Sequence, residues 1–473
     1  MRMVVSACWG VHPALNCGVA LWALSSWRRA IPVGERDRMV PSALEIRYSS
    51  PVYDDLWPCA DWASRLIQQG GARSARLRMR RSWRQVGDVL RAVATDWLKS
   101  GDPLRGEAEA AVVRGHGLAP GLVHETFTRW LRRVAAGELF DLWERELGAT
   151  DADCIQSLFA VFAGTLAEPA IQTVCHALMM RTFLLGRASL REWGAVAAWM
   201  RAVVRADPEL GPSVVLATWP TACSQWTQAA CAGAEGTLVF GGDAAVAALR
   251  AWTPPDRRFS ARGHRVSVIG VTSDVAENEF ADLAERISLD MVIHDQKGCL
   301  SPQYCFVEDR QGVHAGRLAE SLADALRMRG RVWPAPPLGE DEMVAWRLAL
   351  ERWRVESALG AGVFAFEEPA GAGRFGVMYH PELERLPGNP VHRFMHVIAV
   401  RDGAEAARLL QPLHGRIAAV AHAGKWMDFT AWLGDEWDSA DLSIRVCAPG
   451  EMQDPPLIWQ DGGCPNLREW VRA

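Results

Sequence analysis

From residue 157 onward, short apolar runs alternate with longer amphipathic stretches. The run Ser157–Gly164 is apolar, short and closed by glycine, which is typical of a buried strand. Further strand-like runs are Thr182–Leu185, Ser213–Ala217, Thr237–Phe240, Val266–Val271 and Tyr304–Val307. Segments with helical spacing of apolar residues lie between them, at residues 170–180, 189–203, 244–252, 277–291 and 316–327. Strands that alternate with helices in this way predict an α/β fold with mainly parallel sheets.

The length and the breaks in this pattern predict two main domains. A chain of 473 residues has room for about two or three domains, and a Pro254-Pro255 break precedes the strand at Val266. We expect a cofactor-binding domain over residues 61–260 and a catalytic domain over residues 261–440. Residues 441–473 form a C-terminal segment, and the pattern assigns no fold to residues 1–60.

The charge balance argues against a nucleic-acid partner. The net charge is −5, so the chain has no overall basic field that would attract nucleic acid. Only three of the 51 basic residues are lysine, and this excess of arginine favours a biased genome composition over a functional demand. Six arginines lie between Arg73 and Arg84 and fit either a nucleic-acid patch or a solvated helix face. The neutral or acidic flanks favour the helix face.

The cysteines and the N-terminus bear on location. The 11 cysteines include no C-x-x-C pair, which fits a reducing compartment, so we expect a cytoplasmic protein. No Asp, Glu, Lys or Arg lies between Met3 and Trp27, which fits a signal peptide or a membrane span. The polar residues in that run argue against both, and an upstream start codon with Met39 as the natural beginning is the alternative. We therefore expect no stable membrane span.

A glycine pair lies between a predicted strand and the helix that follows it. Backbone N–H groups of Gly241-Gly242-Asp243 can approach a phosphate there, and the helix N-terminus adds partial positive charge. A tight turn with Asp243 as the helix N-cap fits the same residues, and the sequence does not separate the two interpretations. A literal G-x-G-x-x-G occurs at Gly371–Gly376, but a strand-like run follows it, so we interpret it as a loop.

Cys299 is the cysteine whose surroundings best suit a nucleophile. It follows Lys297 in a helix-to-strand loop, and a nearby cation lowers the pKa of a thiol and favours the thiolate. A structural thiol is the alternative. His392 and His396 have the spacing of a metal pair, but their segment is strand-like and would separate them by about 13 Å on one face. We therefore expect no metal site.

The order of these pieces resembles the aldehyde dehydrogenase superfamily, and in particular the bacterial fatty acyl-CoA reductases of the luminescence (LuxC) type. The matching segments are Phe162–Pro169, Val239–Arg250, Gly263–Val271, Asp295–Gln303, His414–Val420 and the tail from Arg445 through Met452-Gln453, Pro455-Pro456 and Trp459 to Asp461-Gly462. The resemblance covers the chain from about residue 150 to its end. It implies a Rossmann-type cofactor-binding domain and a second α/β catalytic domain.

The resemblance also implies a covalent mechanism. Cys299 would attack the thioester of a long-chain acyl-CoA, and a hydride from NADPH would reduce the resulting acyl-enzyme to the fatty aldehyde. The Gly241-Gly242 turn, with Asp243, would hold the cofactor pyrophosphate. Related enzymes that release a free acid use a glutamate to activate water, and Arg258–Ser273 contains no carboxylate, which favours reduction.

Two of the departures from the family pattern concern candidate site residues. The asparagine that stabilises the oxyanion aligns with Thr165, whose hydroxyl has a shorter reach. The lysine expected at the adenosine ribose or its phosphate aligns with Arg187 in the segment Gly186–Ser189, where Ser189 is a further candidate contact. Arginine suits a 2′-phosphate through two hydrogen bonds, which keeps NADPH as the expected cofactor.

These departures keep two functions open. The first is an active reductase that takes its acyl group from acyl-CoA or an acyl-protein, with an acyl-protein synthetase as a candidate partner. The second is a drifted member that binds acyl groups or a partner without efficient reduction. The superfamily also suggests a homo-oligomer by analogy.

Overall fold

The structure is a computed structural model that describes residues 44–57, 61–99, 101–164, 166–188, 193–309, 313–359, 364–368, 373–425 and 444–472. Its helices are α1 (Trp62–Arg80), α2 (Trp83–Leu98), α3 (Pro103–His116), α4 (Pro120–Ala136), α5 (Glu138–Leu147), α6 (Glu168–Met179), α7 (Trp193–Ala206), α8 (Ser224–Gly233), α9 (Asp243–Trp252), α10 (Phe280–Val292), α11 (His314–Val332), α12 (Glu340–Ala358) and α13 (Gly403–Leu410). Its strands are β1 (Glu45–Tyr48), β2 (Ser157–Val161), β3 (Phe183–Arg187), β4 (Val214–Thr218), β5 (Gly236–Phe240), β6 (Arg258–Arg262), β7 (Val266–Val271), β8 (Pro302–Glu308), β9 (Phe364–Glu368), β10 (Phe375–His380), β11 (Phe394–Val400), β12 (Ile417–Ala423) and β13 (Arg445–Cys447).

The first sheet has the strand order β1-β4-β3-β2-β5-β6. β1 runs antiparallel to β4, and the remaining neighbours are parallel. The chain moves outward from β2 through β3 to β4 and then returns to the other side of β2 with β5. This reversal leaves a crevice at the carboxyl ends of β2 and β5, which is where open parallel sheets bind ligands.

The second sheet has the order β13-β12-β7-β8-β11-β10-β9. β9 is antiparallel to β10, and the other neighbouring pairs are parallel. The chain leaves the first sheet at the end of β6 and enters the second at β7, so the change of sheet falls at residues 263–265. The predicted α/β class, with mainly parallel sheets, is confirmed.

Two strands of the first sheet, β1 and β6, were not predicted. β6 has the sequence RFSAR, which carries charged residues at both ends and no apolar run. It lies at the edge of the sheet, where Arg262 donates to Ser260 Oγ at 2.6 Å. Pairing with β5 fixes this strand, so hydrophobic periodicity gives no signal for it.

Tryptophans fill the core between the first sheet and helices α2, α4, α5 and α7. The rings of Trp83 and Trp143 stack with centroids 5.0 Å apart. Trp97 and Trp130 both meet Trp199 edge-on, at 5.1 Å and 5.2 Å. Offset and edge-on pairs of this kind are favourable beyond the area they bury. Helices α2, α4 and α7 are thereby joined into one layer behind the sheet.

The C-terminal segment joins the two halves of the molecule. After β13, the backbone N–H groups of Gly450 and Met452 donate to the Asp290 carboxylate at 2.6 Å and 3.0 Å. Farther on, the N–H groups of residues 466–468 donate to the Glu146 carboxylate at the end of α5. One buried carboxylate in each half therefore fixes the path of this segment.

Two expectations about location concern the described residues. No helix in the ranges given above is long and apolar enough to cross a membrane. The uncharged run Met3–Trp27 lies outside those ranges. The eight cysteines that the structure describes are free thiols.

The Asp290 carboxyl makes stability depend on pH. Burial raises its pKa to about 7, although the N–H groups of Gly450 and Met452 oppose the shift. The folded chain therefore holds this proton more tightly than the unfolded chain, where an aspartate titrates near pH ~3.9. The stabilising contribution is complete below pH ~4 and is lost as the pH rises through about 7.

We expect Asp290→Asn to remove this dependence. The difference in unfolding free energy between wild type and variant should shrink as the pH rises from about 5 to about 8, measured by urea unfolding. The control is Asp282→Asn, an exposed carboxylate paired with Arg286 on the same helix, whose difference from wild type should stay constant. A constant difference for Asp290→Asn as well would contradict a raised pKa.

Candidate active site

A cavity of about 540 Å³ lies between the carboxyl edge of the first sheet and the amino edge of the second. Its walls come from the residues after β2 and β5, the connection 263–265, the loop before β8 and the C-terminal segment. Gly241, Gly242 and Cys299 all line it. The predicted glycine turn and the predicted nucleophile, which are far apart in sequence, therefore share one cavity.

The backbone around Cys299 is held by the neighbouring strands. The Ser267 hydroxyl at the start of β7 donates to the Cys299 carbonyl at 2.7 Å and accepts the N–H of Ala419 at 3.1 Å. A turn from Gly298 to Ser301 closes the loop, with a 3.0 Å hydrogen bond between their backbones. The backbone N–H groups of Cys299 and Leu300 stabilise the thiolate form of the sulfur. The same donors suit a negative oxygen that develops on a bound thioester.

Two three-residue stretches with left-handed backbone meet beside this loop. His294, Asp295 and Gln296 have φ of 56°, 51° and 62°, and residues 391–393 have φ of 56°, 59° and 65°. This conformation is rare outside glycine and most unusual for a β-branched residue such as Val391. Each such residue costs about 1–3 kcal/mol, so the surrounding contacts must hold both stretches in place.

The buried carboxylate of Asp295 supplies the main contact between the two stretches. His392 Nδ1 lies 2.8 Å from Oδ2, and Arg393 Nε donates to Oδ1 at 3.2 Å. Arg374 Nη2 lies 3.7 Å from Oδ2. These four side chains are almost fully buried. They form an ion-pair cluster behind the Cys299 loop, which we call the Asp295 cluster.

Gln296 adds a second link between the same stretches. Its side-chain oxygen accepts the Phe394 N–H at 2.7 Å, and its amide donates to the Phe394 carbonyl at 2.7 Å. The amide also donates to the Pro302 carbonyl at 2.6 Å. The loop before β8 is thus fastened to the first residue of β11.

The predicted strand that includes both His392 and His396 begins too early in the sequence. β11 begins at Phe394, and His392 precedes it with left-handed backbone. Because of this turn, His392 faces Asp295, whereas His396 Nδ1 lies 3.0 Å from His380 Nε2 inside the sheet. The two histidines therefore serve separate contacts.

The electrostatics at Cys299 differ from the prediction. Burial raises the pKa of the thiol, Asp461 raises it further, and Arg265 lowers it. Lys297 was predicted to stabilise the thiolate, but its Nζ lies 3.3 Å from Glu342 Oε1 instead. Arg265 is therefore the cation that lowers the pKa of this thiol.

The glycine turn has the geometry of an anion site. Gly242 is the N-cap of α9, and no side chain caps the first N–H groups of that helix. A Cβ at Gly242 would meet no other atom within 4 Å, so the space in front of the turn is open. Asp243 is the first helical residue and not the N-cap, which corrects that alternative, and its carboxylate lies 3.3 Å from Arg416 Nη2.

Arg187 lies at the end of β3, on the same edge of the sheet as the glycine turn. β2 separates β3 from β5, so the two sites are about 10 Å apart. Arg187 Nη2 donates to the Trp219 carbonyl at 2.9 Å, and its guanidinium lies over the Trp219 ring. Its Nε is buried and has no acceptor among the described residues.

Two predicted site residues lie outside the described residues. These are Thr165 and Ser189. On either side of the first, Ala163 and Leu166 line the cavity. Their proposed contacts with the oxyanion and the cofactor stay predictions.

The C-terminal segment contributes residues whose roles the sequence analysis missed. Gln453 donates to Ser301 Oγ at 3.0 Å and supports the turn that carries Cys299. Asp461 lines the cavity and acts on the thiol electrostatically. Both residues lie in segments that match the family. They are more than 150 positions from Cys299 in the sequence, so no local pattern indicates that they share its cavity.

The fold is that of aldehyde dehydrogenases. The chain is similar to aldehyde dehydrogenase 21 from Physcomitrella patens, with a TM-score of 0.63 and 9% identity over 87% of this chain and 88% of that one. It is similar to a NAD-dependent benzaldehyde dehydrogenase from Corynebacterium glutamicum, with a TM-score of 0.60 and 12% identity over 86% and 88%. It is also similar to an NADP-dependent glyceraldehyde-3-phosphate dehydrogenase from Bacillus halodurans, complexed with NADP, with a TM-score of 0.60 and 12% identity over 86% of this chain and 87% of that one.

Within this fold, the sequence identifies a narrower family. The model of the acyl-CoA reductase (LuxC) family matches residues 156–473. The chain therefore belongs to the LuxC family of acyl-CoA reductases and is an aldehyde-forming oxidoreductase, which confirms the predicted resemblance. No curated protein sequence matches the chain at a significant level.

The Asp295 cluster gives a test of the loop geometry. Asp295→Asn would leave the guanidinium groups of Arg374 and Arg393 buried without a carboxylate, and breaking a buried ion pair costs about 3–5 kcal/mol. We expect a loss of that size in urea unfolding, together with faster proteolysis of the loop before β8.

The matched control is Asp324→Asn, since that carboxylate is exposed and pairs with Arg327 on the surface. It should cost less than about 1 kcal/mol. Equal losses for the two variants would mean that the Asp295 cluster does not hold the loop.

Proposed function

We propose that this protein reduces a long-chain fatty acyl-CoA to the fatty aldehyde with NADPH, through a thioester on Cys299. The observation that carries the proposal is that Cys299 and the Gly241-Gly242 turn line one cavity at the crevice of the first sheet. A nucleophile and an open helix N-terminus in one cavity would bring an enzyme-bound acyl group and the pyrophosphate of a nicotinamide cofactor into the same site.

The residues present support an acyl-transfer step on Cys299. Its sulfur would bond to the thioester carbon of the substrate, and the carbon–sulfur bond to CoA would break, with CoA leaving as its thiol. The backbone N–H groups of Cys299 and Leu300 would stabilise the oxyanion during this exchange. When bound, the nicotinamide cofactor supplies the hydride. Collapse of the reduced adduct would break its bond to the Cys299 sulfur, which releases the aldehyde and frees the sulfur for another turnover.

The segment 258–273 favours reduction over hydrolysis. In related enzymes that make acids, a glutamate from the corresponding segment activates water, but residues 258–273 contain no carboxylate. Arg262, His264 and Arg265 line the cavity from this segment. Without a base for water from this segment, the acyl-enzyme would persist until hydride arrives.

The cofactor site supports NADPH. The free N–H groups at the start of α9 suit a pyrophosphate, and Arg187 lies about 10 Å away on the same edge of the sheet. Its buried Nε has no acceptor among the described residues, which leaves a donor for a 2′-phosphate. One structure similar to this chain is that of an enzyme complexed with NADP.

The acyl group and its source are further parts of the proposal. Trp130, Leu166, Leu238 and Trp459 line the cavity with apolar surface, which suits a fatty chain. The donor is acyl-CoA or an acyl-protein, and an acyl-protein synthetase is a candidate partner. A homo-oligomer and a cytoplasmic location also stay predictions.

The drifted-member alternative has one observation in its favour. Burial raises the pKa of the Cys299 thiol, which disfavours the thiolate. A protein that only binds acyl groups would show this as well. The two functions differ in whether acyl-CoA consumes NADPH.

Replacing the nucleophile tests the proposal. We expect Cys299→Ser to lower aldehyde formation from a long-chain acyl-CoA and NADPH by about a thousandfold or more, because the covalent step needs the sulfur. Gas chromatography of the aldehyde is the measurement. Cys447→Ser is the control, since that half-buried thiol in β13 does not line the cavity, and it should keep wild-type activity. Equal activity in wild type and Cys299→Ser would refute the role of Cys299.

Removing the arginine tests the cofactor. We expect Arg187→Gln to raise the KM for NADPH about tenfold or more and to leave the KM for NADH nearly unchanged, because a hydrogen bond between charged groups contributes about 1.5–3 kcal/mol. Arg250→Gln, at an exposed position on α9, should change neither value. An equal rise for both cofactors would show that Arg187 does not read the 2′-phosphate.

A further inference from the structure

The proposed acyl transfer needs a group that accepts the proton of the Cys299 thiol. A thiol must lose its proton as its sulfur bonds to a substrate, and burial raises the pKa of the Cys299 thiol. Lys297, the neighbouring cation in sequence, pairs with Glu342. The inference below rests on the proposed function and concerns the group that receives this proton.

Asp461 is a carboxylate in the same cavity without a hydrogen bond to its inner oxygen. Oδ1 is buried and has no hydrogen-bond donor among the described residues. Its nearest charged contact, Arg265 Nε, lies 3.8 Å away, beyond hydrogen-bond distance. A buried carboxylate oxygen without a donor is costly unless it has a partner during function.

The turn that carries Asp461 is built against Arg265. Gly462 and Gly463 follow it with φ of 69° and 72°. A Cβ at Gly462 would overlap the Arg265 guanidinium in its present position, and the left-handed φ also favours glycine here. Arg265 in turn donates to the carbonyls of Gly415 and Ile417 at 3.5 Å each. The carboxylate is therefore held beside the connection between the two sheets.

The charges around Asp461 suit a proton acceptor. Burial raises the pKa of its carboxyl, whereas Arg262 and Arg265 lower it. Of the charged side chains that act on the Cys299 thiol, Asp461 is the one that favours the protonated sulfur. A base is most effective when its pKa is raised toward the operating pH.

The histidines of the cavity are the competing bases. Burial lowers the pKa of His176 to about 4, which makes it a weak acceptor. His392 is engaged with Asp295. His264 and His294 also line the cavity and have to be tested beside Asp461.

We propose that Asp461 accepts the proton of the Cys299 thiol. As the Cys299 sulfur bonds to the thioester carbon, the proton passes to the Asp461 carboxylate. As the bond between that carbon and the CoA sulfur breaks, the proton passes on to the departing CoA. The carboxylate is then ready for another turnover, and no oxidant or reductant takes part in this step.

Two rates on the full-length protein separate proton transfer from packing. The first is the rapid release of CoA after mixing with a long-chain acyl-CoA in the absence of NADPH. We expect Asp461→Asn to slow it about a hundredfold or more. The second is alkylation of Cys299 by iodoacetamide between about pH 6 and pH 9, which needs only the thiolate. We expect it to be as fast or faster in the variant, because the carboxylate no longer raises the thiol pKa.

Companion variants complete the test. Asp461→Glu keeps the carboxylate and should restore part of the CoA release. Asp256→Asn removes an exposed carboxylate and should change neither rate. His264→Gln and His294→Gln should each retain most of the CoA release.

Several results would overturn the proposal. One is unchanged CoA release in Asp461→Asn, and another is a parallel fall of both rates, which would indicate damaged packing. Loss of CoA release in a histidine variant with retention in Asp461→Asn would assign the proton to that histidine. An Asp461→Asn variant that keeps CoA release but no longer releases free acid would show that Asp461 activates water instead. A different result would contradict the proposed function itself, namely that the wild-type protein releases no CoA.

Discussion

The buried Asp295 carboxylate is the interaction on which the geometry of the cavity depends. It binds Arg393 and His392 on one left-handed stretch and itself belongs to the other. Charges taken out of water cost several kcal/mol each unless they are paired, so this cluster is stable only with all its members present. Because the Cys299 loop follows directly from Asp295, the position of the thiol depends on the same contacts. Relaxing either strained stretch would expose unpaired charge inside the protein.

The arrangement of the two sheets places chemistry from distant segments in one cavity. The carboxyl edge of the first sheet contributes the helix N-terminus after β5, and the amino edge of the second contributes the loop before β8. The C-terminal segment crosses from one to the other and closes a side of the cavity with Gln453 and Asp461. Burial of this kind would exclude water from the proposed acyl-enzyme, and it also raises the pKa of the Cys299 thiol. As the proposed nucleophile, Cys299 would therefore depend on backbone donors and a proton acceptor more than on a neighbouring cation.

The sequence predicted the repeating elements well, because apolar periodicity reflects burial within single strands and helices. β7 begins and ends where predicted, and β2 and α9 lie within a few residues of the predicted positions. β6 was not predicted because it carries arginines at a sheet edge and has no apolar run. His392 was predicted in a strand because apolar periodicity does not reveal left-handed backbone. The pairing of Lys297 with Glu342 and the presence of Asp461 in the same cavity as the thiol depend on tertiary contacts. Nothing local in the sequence encodes them.

The central claim is that the acyl group passes through Cys299. The most direct measurement is mass spectrometry of the protein after exposure to a long-chain acyl-CoA without NADPH, followed by peptide mapping. The account predicts a mass increase equal to one acyl group, located on the peptide that contains Cys299, and its disappearance when NADPH is added. An adduct on another cysteine, or rapid CoA release with no adduct on Cys299, would contradict it.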